Sequence, residues 1–164
     1  KQADTLDDPA TFKAWETCIE MKIPVVTQVR REGLHMLLNL IRRFPDATII
    51  VDPLIHAPRG DQPPYPRSGF LFELAKYPNV YFKMSTNNVR ASREGGATPE
   101  TFFPYLIKNI PSNRIAWGSN CPASAGTLKE MVTEAKAALA CLPQADQDNI
   151  FAKTAQKLYP ALAD

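Results

Sequence analysis

Four short runs of β-branched and aromatic residues, each followed by a stretch of helical periodicity, constrain this chain more than any other feature. They are Pro24-Val25-Val26-Thr27-Gln28-Val29, Thr48-Ile49-Ile50-Val51-Asp52, Asn79-Val80-Tyr81-Phe82-Lys83-Met84-Ser85 and Arg114-Ile115-Ala116-Trp117-Gly118-Ser119. Each is continuously apolar through its middle instead of alternating, the pattern of a strand buried on both faces in a parallel sheet covered by helices. The runs recur at roughly 24 to 35 residues, the spacing of β/α repeats.

The intervening segments read as helices. Asp8 and Pro9 start one that runs to about Met21, with Phe12, Trp15 and Ile19 on one face. Leu34, Leu37, Leu38 and Ile41 form a stripe ended by Pro45, and a short helix is expected over Phe70 to Tyr77. Thr86 to Thr98 is polar and is expected to be a loop, ahead of a helix carrying Phe102, Phe103, Leu106, Ile107 and Ile110. Helices over Thr127 to Ala140 and Gln144 to Tyr159 complete the pattern. Most of the 15 prolines fall at these boundaries, where they punctuate short elements.

Two architectures fit: a doubly wound open sheet, or part of an eight-stranded barrel. No strand is followed by G-x-G-x-x-G, which weighs against a nucleotide-binding open sheet. A closed barrel typically takes about 250 residues and eight strands, and four runs are visible in 164 residues. The expected fold is therefore α/β: a single domain of four consecutive β/α units of a TIM (β/α)8 barrel, a half-barrel with a parallel sheet.

Charge and cysteine usage narrow the function. A net charge of +2 with scattered basic residues lacks the dense basic face of a nucleic-acid binder. No apolar run approaches the roughly 18 residues of a membrane span, and Lys1-Gln2-Ala3-Asp4 does not resemble a signal peptide. Cys18, Cys121 and Cys141 form no C-x-x-C pair and are odd in number, so a reducing cytoplasm is expected. The absent initiator Met suggests a trimmed or excised chain.

In either architecture chemistry gathers at the carboxyl ends of the strands. Those ends carry Gln28, then Asp52 with His56 four residues on, then Lys83 and Ser85, then Ser119 and Asn120. His56 is either a ligand, acid or base, or a loop histidine bonded to a neighbour. Asp52, before Pro53, either titrates or accepts turn amides. Lys83 and Ser85 share a strand face, and a buried Lys83 calls for a carboxylate, for which Asp52 is the candidate. Asn120 either serves the site or makes the turn before Cys121-Pro122. Cys121 would be a nucleophile only beside a base such as His56. No H-x-H, H-E-x-x-H or C-x-x-C is present, so the residues themselves give no metal signature.

The segment Arg114-Ile115-Ala116-Trp117-Gly118-Ser119-Asn120-Cys121-Pro122 resembles the R-hydrophobic-x-W-G-[ST]-D-x-P stretch of the amidohydrolase-related family of barrel hydrolases. Phe44-Pro45 through Val51-Asp52 resembles its Asp-His strand, and Pro78-Asn79-Val80-Tyr81-Phe82-Lys83-Met84-Ser85 its "PNVyvKlS" strand. Asn149-Ile150-Phe151 through Leu158-Tyr159 resembles its terminal helix. The resemblance implies a (β/α)8 hydrolase of lactones, esters or amides of small carboxylic acids, with this chain matching its C-terminal half only. It implies Asp52, His56 and Asn120 as catalytic positions, and Gln28, Lys83, Ser85 and Ser119 around a small-molecule substrate. It also implies a divalent metal such as zinc in the family, though the ligand set here is incomplete. Pro53 stands where the family has His, and Asn120 where it has an acid; an amide takes no proton at neutral pH.

Four parallel strands leave two unpaired edges, Val25 to Val29 and Arg114 to Ser119, which are normally paired or covered. A second copy joined edge to edge would supply eight strands about a two-fold axis. The expectation beside a hydrolase is thus a non-catalytic half-barrel, or a fragment, completed by a second copy or a missing segment.

Overall fold

The structure, a computed structural model, describes residues 5–29, 31–52 and 62–163. Its strands are β1 (Val25–Thr27), β2 (Ile49–Val51), β3 (Val80–Ser85) and β4 (Ile115–Gly118). All three neighbouring pairs are parallel, and the spatial order follows the chain, β1-β2-β3-β4. A doubly wound sheet reverses strand order at its switch point. This sheet does not, which identifies it as a half-barrel unit.

The helices are α1 (Phe12–Glu20), α2 (Leu34–Arg43), α3 (Gly69–Ala75), α4 (Thr86–Ala91), α5 (Pro99–Asn109) and α6 (Leu128–Leu139). A final run consists of α7 (Gln144–Asp148), a π turn (Asn149–Lys153) and α8 (Thr154–Leu158). Local chemistry sets the ends. Asp8 accepts the Ala10 amide at 2.8 Å ahead of α1. Thr98 and Thr127 cap α5 and α6 with reciprocal side-chain bonds, and Pro99 occupies the first position of α5, where its missing N–H costs nothing.

Strand alternation divides the sheet into two faces. Ile49, Val51, Val80, Phe82, Met84 and Ile115 are fully buried in the main core against the helices. The helices return Leu37, Leu40 and Ile41, Leu71 and Leu74, Phe102, Phe103 and Leu106, and Ala135, Ala138 and Leu139 to the same core. The other face is the barrel interior. There Ile50 and Tyr81 pack with Leu158, while Val26 remains 49% exposed on β1. The terminal run bridges both faces: Phe151 of the π turn meets the Trp117 ring edge-on at 5.8 Å, and Leu158 lies on Ile50 and Tyr81.

One expectation is corrected. Residues 86–91, read as the start of a polar loop, form α4. Polarity misled the reading because the polar groups satisfy the helix from within. Asn88 Oδ1 accepts both the amide (2.8 Å) and the hydroxyl (3.0 Å) of Ser85, and the Ser92 hydroxyl donates to the Val89 carbonyl at 2.6 Å. Val89 alone supplies the apolar anchor, fully buried. No described helix is long and apolar enough to cross a membrane.

Candidate functional site

Parallel pairing brings the carboxyl ends of the four strands to one rim. Val26, Ile50 and Tyr81 lie in register, as do Lys83 and Ala116. One pleat further along, Asp52 and Lys83 follow Ile50 and Tyr81 on the interior face. The pair inferred from sequence forms: Lys83 Nζ donates to Asp52 Oδ2 at 2.7 Å, with the Lys83 side chain 41% and Asp52 26% exposed. Asp52 Oδ1 has no bonded partner among the described residues.

Gly118 makes this reach possible. A Cβ at that position would stand 3.2 Å from Lys83 Cε, so the lysine stem lies against bare backbone on β4 while its ammonium crosses to β2. The glycine of the Trp-Gly-Ser segment is thus a requirement of close approach.

The β4 exit is held by a chain of polar contacts. The Thr86 hydroxyl donates to the Ser119 carbonyl at 2.8 Å, and Ser119 Oγ accepts the Cys121 amide at 3.2 Å, which leaves its own proton free to donate. Asn120 has φ of 57°, the left-handed region that asparagine tolerates better than most residues. Its Nδ2 donates to Ser124 Oγ at 3.0 Å, and Ser124 donates in turn to Asn87 Oδ1 at 3.3 Å. Asn120 is therefore both a turn residue and an oriented amide, with one N–H still available.

The remaining expected positions are placed differently. Ser85 is buried and spends its hydroxyl on Asn88 at the start of α4. Gln28 is exposed one residue beyond β1. His56 lies outside the described residues. Cys121 is exposed and forms no disulfide with a described residue. Sequence reading missed Thr86, Asn87 and Ser124. Their signal was the density of short polar side chains directly after two strand ends, where such groups bond backbone and one another.

Arg114, the first residue of the resemblance segment, is structural. Its guanidinium donates to the carbonyls of Ala75 (2.6 Å) and Tyr77 (2.8 Å), closing the end of α3 against the start of β4. Partial burial lowers its pKa from the usual arginine value.

A zinc ion does not fit the described rim. Its one carboxylate is already bonded to an ammonium, Asn120 is a neutral amide, and no group of three His, Cys, Asp or Glu converges among the described residues.

A family profile described as "Amidohydrolase" matches residues 1–161. This overturns the expectation that the resemblance concerns a C-terminal half only, because the match runs through nearly the whole chain. The mistake came from counting strands against a closed barrel, which says nothing of how far family identity extends along this sequence. No curated protein matches. Among solved structures, a zinc-bound amidohydrolase from Burkholderia multivorans superposes with a TM-score of 0.75 at 15% identity, covering 96% of this chain and 61% of its own. Amidohydrolase 2 from Bifidobacterium longum subsp. infantis gives 0.65 at 20% identity, over 93% and 55%. A probable 2-pyrone-4,6-dicarboxylic acid hydrolase from Acinetobacter baumannii, with citric acid bound, gives 0.70 at 16%, over 97% and 60%. The chain thus spans a little over half the length of these structures, whose likeness concerns the fold. With the profile matched from residue 1 to residue 161, this chain belongs to the amidohydrolase family.

Proposed function

We propose that the strand-end rim is the working surface of a hydrolase acting on a lactone, ester or amide of a small carboxylic acid. The observation that carries this reading is the Lys83–Asp52 pair, half-open to solvent at the carboxyl end of a parallel sheet. An ammonium there can hold a substrate carboxylate or polarise the acyl carbonyl. Asp52 fixes the ammonium through Oδ2, and its unbonded Oδ1 can accept a proton from an attacking water. As water adds to the acyl carbon, negative charge collects on the former carbonyl oxygen. In this reading the Ser119 hydroxyl proton and the remaining Asn120 N–H, neither spent on a described residue, donate to it. Collapse of the tetrahedral species returns the proton to the leaving alkoxide or amine. His56 and Gln28 are further candidates for handling protons and for contacting substrate. This reading runs no step through a metal.

A panel of lactones, esters and amides of small carboxylic acids tests the proposal. Turnover above buffer should fall about a hundredfold or more in Asp52→Asn, the usual weight of a positioned general base. Asn120→Ala should lower the maximal rate more than it raises KM. Full turnover in Asp52→Asn would remove Asp52 from the chemistry, and full turnover in Asn120→Ala would remove Asn120.

A second reading is favoured by the sheet itself, whose β1 and β4 each pair on one side only among the described residues. In this reading the chain is a barrel segment whose open edges are completed by a second copy, with or without catalysis of its own.

A further inference from the structure

A pocket lies at the opposite end of the sheet. It is a solvent-open groove of about 240 Å3 lined by Lys22, Pro24, Thr48, Tyr81, Lys157, Leu158 and Pro160. Lys22 and Pro24 lead into β1, Thr48 immediately precedes β2, and Lys157 and Leu158 close α8. The groove therefore sits at the amino ends of the strands, away from the Lys83–Asp52 rim.

Its chemistry is one-sided. The lining holds two ammoniums and two hydroxyls but no carboxylate. Neither lysine forms an ion pair with a described residue: Lys157 Nζ instead stands 5.3 Å from the centre of the Tyr81 ring, and Lys22 meets no acid. Tyr81 is 8% exposed, yet its hydroxyl bonds no described protein group. Thr48 uses its carbonyl, which accepts the Val25 amide at 2.8 Å, and its hydroxyl likewise has no described partner. The Tyr81 hydroxyl, open to solvent and bonded to no described protein group, lines the same space as two lysines that pair with no described carboxylate. The lining thus presents positive charge and hydroxyls with no carboxylate among them, a chemistry suited to an anion.

We infer that Lys22, Thr48, Tyr81 and Lys157 form a binding site for a small doubly charged oxyanion, inorganic phosphate or the phosphate of a small monoester. Two point charges neutralise such a dianion, and lysine is a good phosphate ligand where no bidentate fork is imposed. The two hydroxyls fix its orientation. Pro24, Leu158 and Pro160 supply an apolar wall, and the volume leaves room beside a tetrahedral head for a short organic group. Binding is independent of hydrolysis at the other rim.

The test is a titration of the full chain with inorganic phosphate near pH 7.5, followed by the backbone amide resonances of Lys22, Thr48 and Leu158. Ionic strength is held constant with chloride, since exposed charges respond to salt alone. Saturable shifts at these amides are expected. Lys22→Gln and Lys157→Gln should each weaken binding about tenfold, and Tyr81→Phe about threefold, in line with loss of charge-assisted and neutral donors. Both lysines are exposed, so these variants keep the fold, which the dispersion of the same spectra verifies. Shifts that chloride reproduces, or phosphate affinity unchanged in the double variant, would overturn the assignment. If a phosphate monoester saturates the same amides at lower concentration than phosphate, the ester is the better ligand.

Discussion

Gly118 and Lys83 show how closely a single position can be tied to a proposed reaction. The lysine stem passes 3.2 Å from where a Gly118 Cβ would be, and its ammonium is held 2.7 Å from Asp52. Gly118→Ala must move the stem by a few tenths of an ångström, and the ammonium with it. Turnover should drop about tenfold, since small misplacements of reacting groups are amplified in rate. The thermal midpoint should move little, because a half-exposed ion pair contributes only about 0–1 kcal/mol. A turnover assay beside a melting curve separates the two. A midpoint loss as large as that of a core deletion would show that Gly118 serves packing instead. The Asp52–Lys83 pair was legible in the sequence, because a lysine inside an apolar strand demands a carboxylate and one stood at the neighbouring strand end. The Asn87–Ser124–Asn120 chain was not, because hydrogen bonds between residues 37 apart depend on tertiary placement that no local pattern encodes.

At the scale of elements, strands and long helices could be read from periodicity, and most observed bounds differ from expectation by a residue or two; α1 starts three residues late, behind a 3₁₀ turn over Pro9–Thr11, and the run expected as one helix to Tyr159 is interrupted by the π turn. The exception, α4, lacks an apolar stripe and is held by its cap, so hydrophobic pattern could not find it. Arg114 illustrates a join between elements that sequence marked as part of a motif without disclosing its task. Replacing it by Ala leaves the carbonyls of Ala75 and Tyr77 without their donor. We expect a loss of about 1–3 kcal/mol, read as a lower urea midpoint with an unchanged slope. The start of α6 responds to pH. The Thr127 amide and hydroxyl hold Glu130 as a carboxylate and lower its pKa from the ordinary value, despite full exposure. A depressed folded pKa means that the stabilisation is present above the unfolded value and is lost as pH falls through the folded one. Protection of the first-turn amides of α6 against hydrogen exchange, taken relative to the intrinsic rate at each pH, should therefore decline as pH falls below the ordinary glutamate range. Glu130→Gln should remove most of that dependence.

For the whole molecule, the sheet faces two ways. One face is sealed by helices; the other holds Val26 half-exposed and is flanked by edges on β1 and β4. Exposed edges are routinely paired or covered. If a second copy performs that task, light scattering should give twice the mass of the 18.3 kDa chain at micromolar concentration. A Val26→Lys variant, which places a charge on the interior face, should shift the equilibrium toward the single chain. A dilute species of one chain's mass in the unaltered protein would rule the pairing out.

The terminal run deserves to be followed to its mechanical end. Ile150 and Phe151 grip the helix-covered side of the sheet near Trp117, and seven residues later Leu158 grips the interior side at Ile50 and Tyr81. The tail thus works as a clasp passed around the rim of a bowl. The fifteen residues of this run therefore couple the two faces of the sheet, so that loosening one grip strains the other.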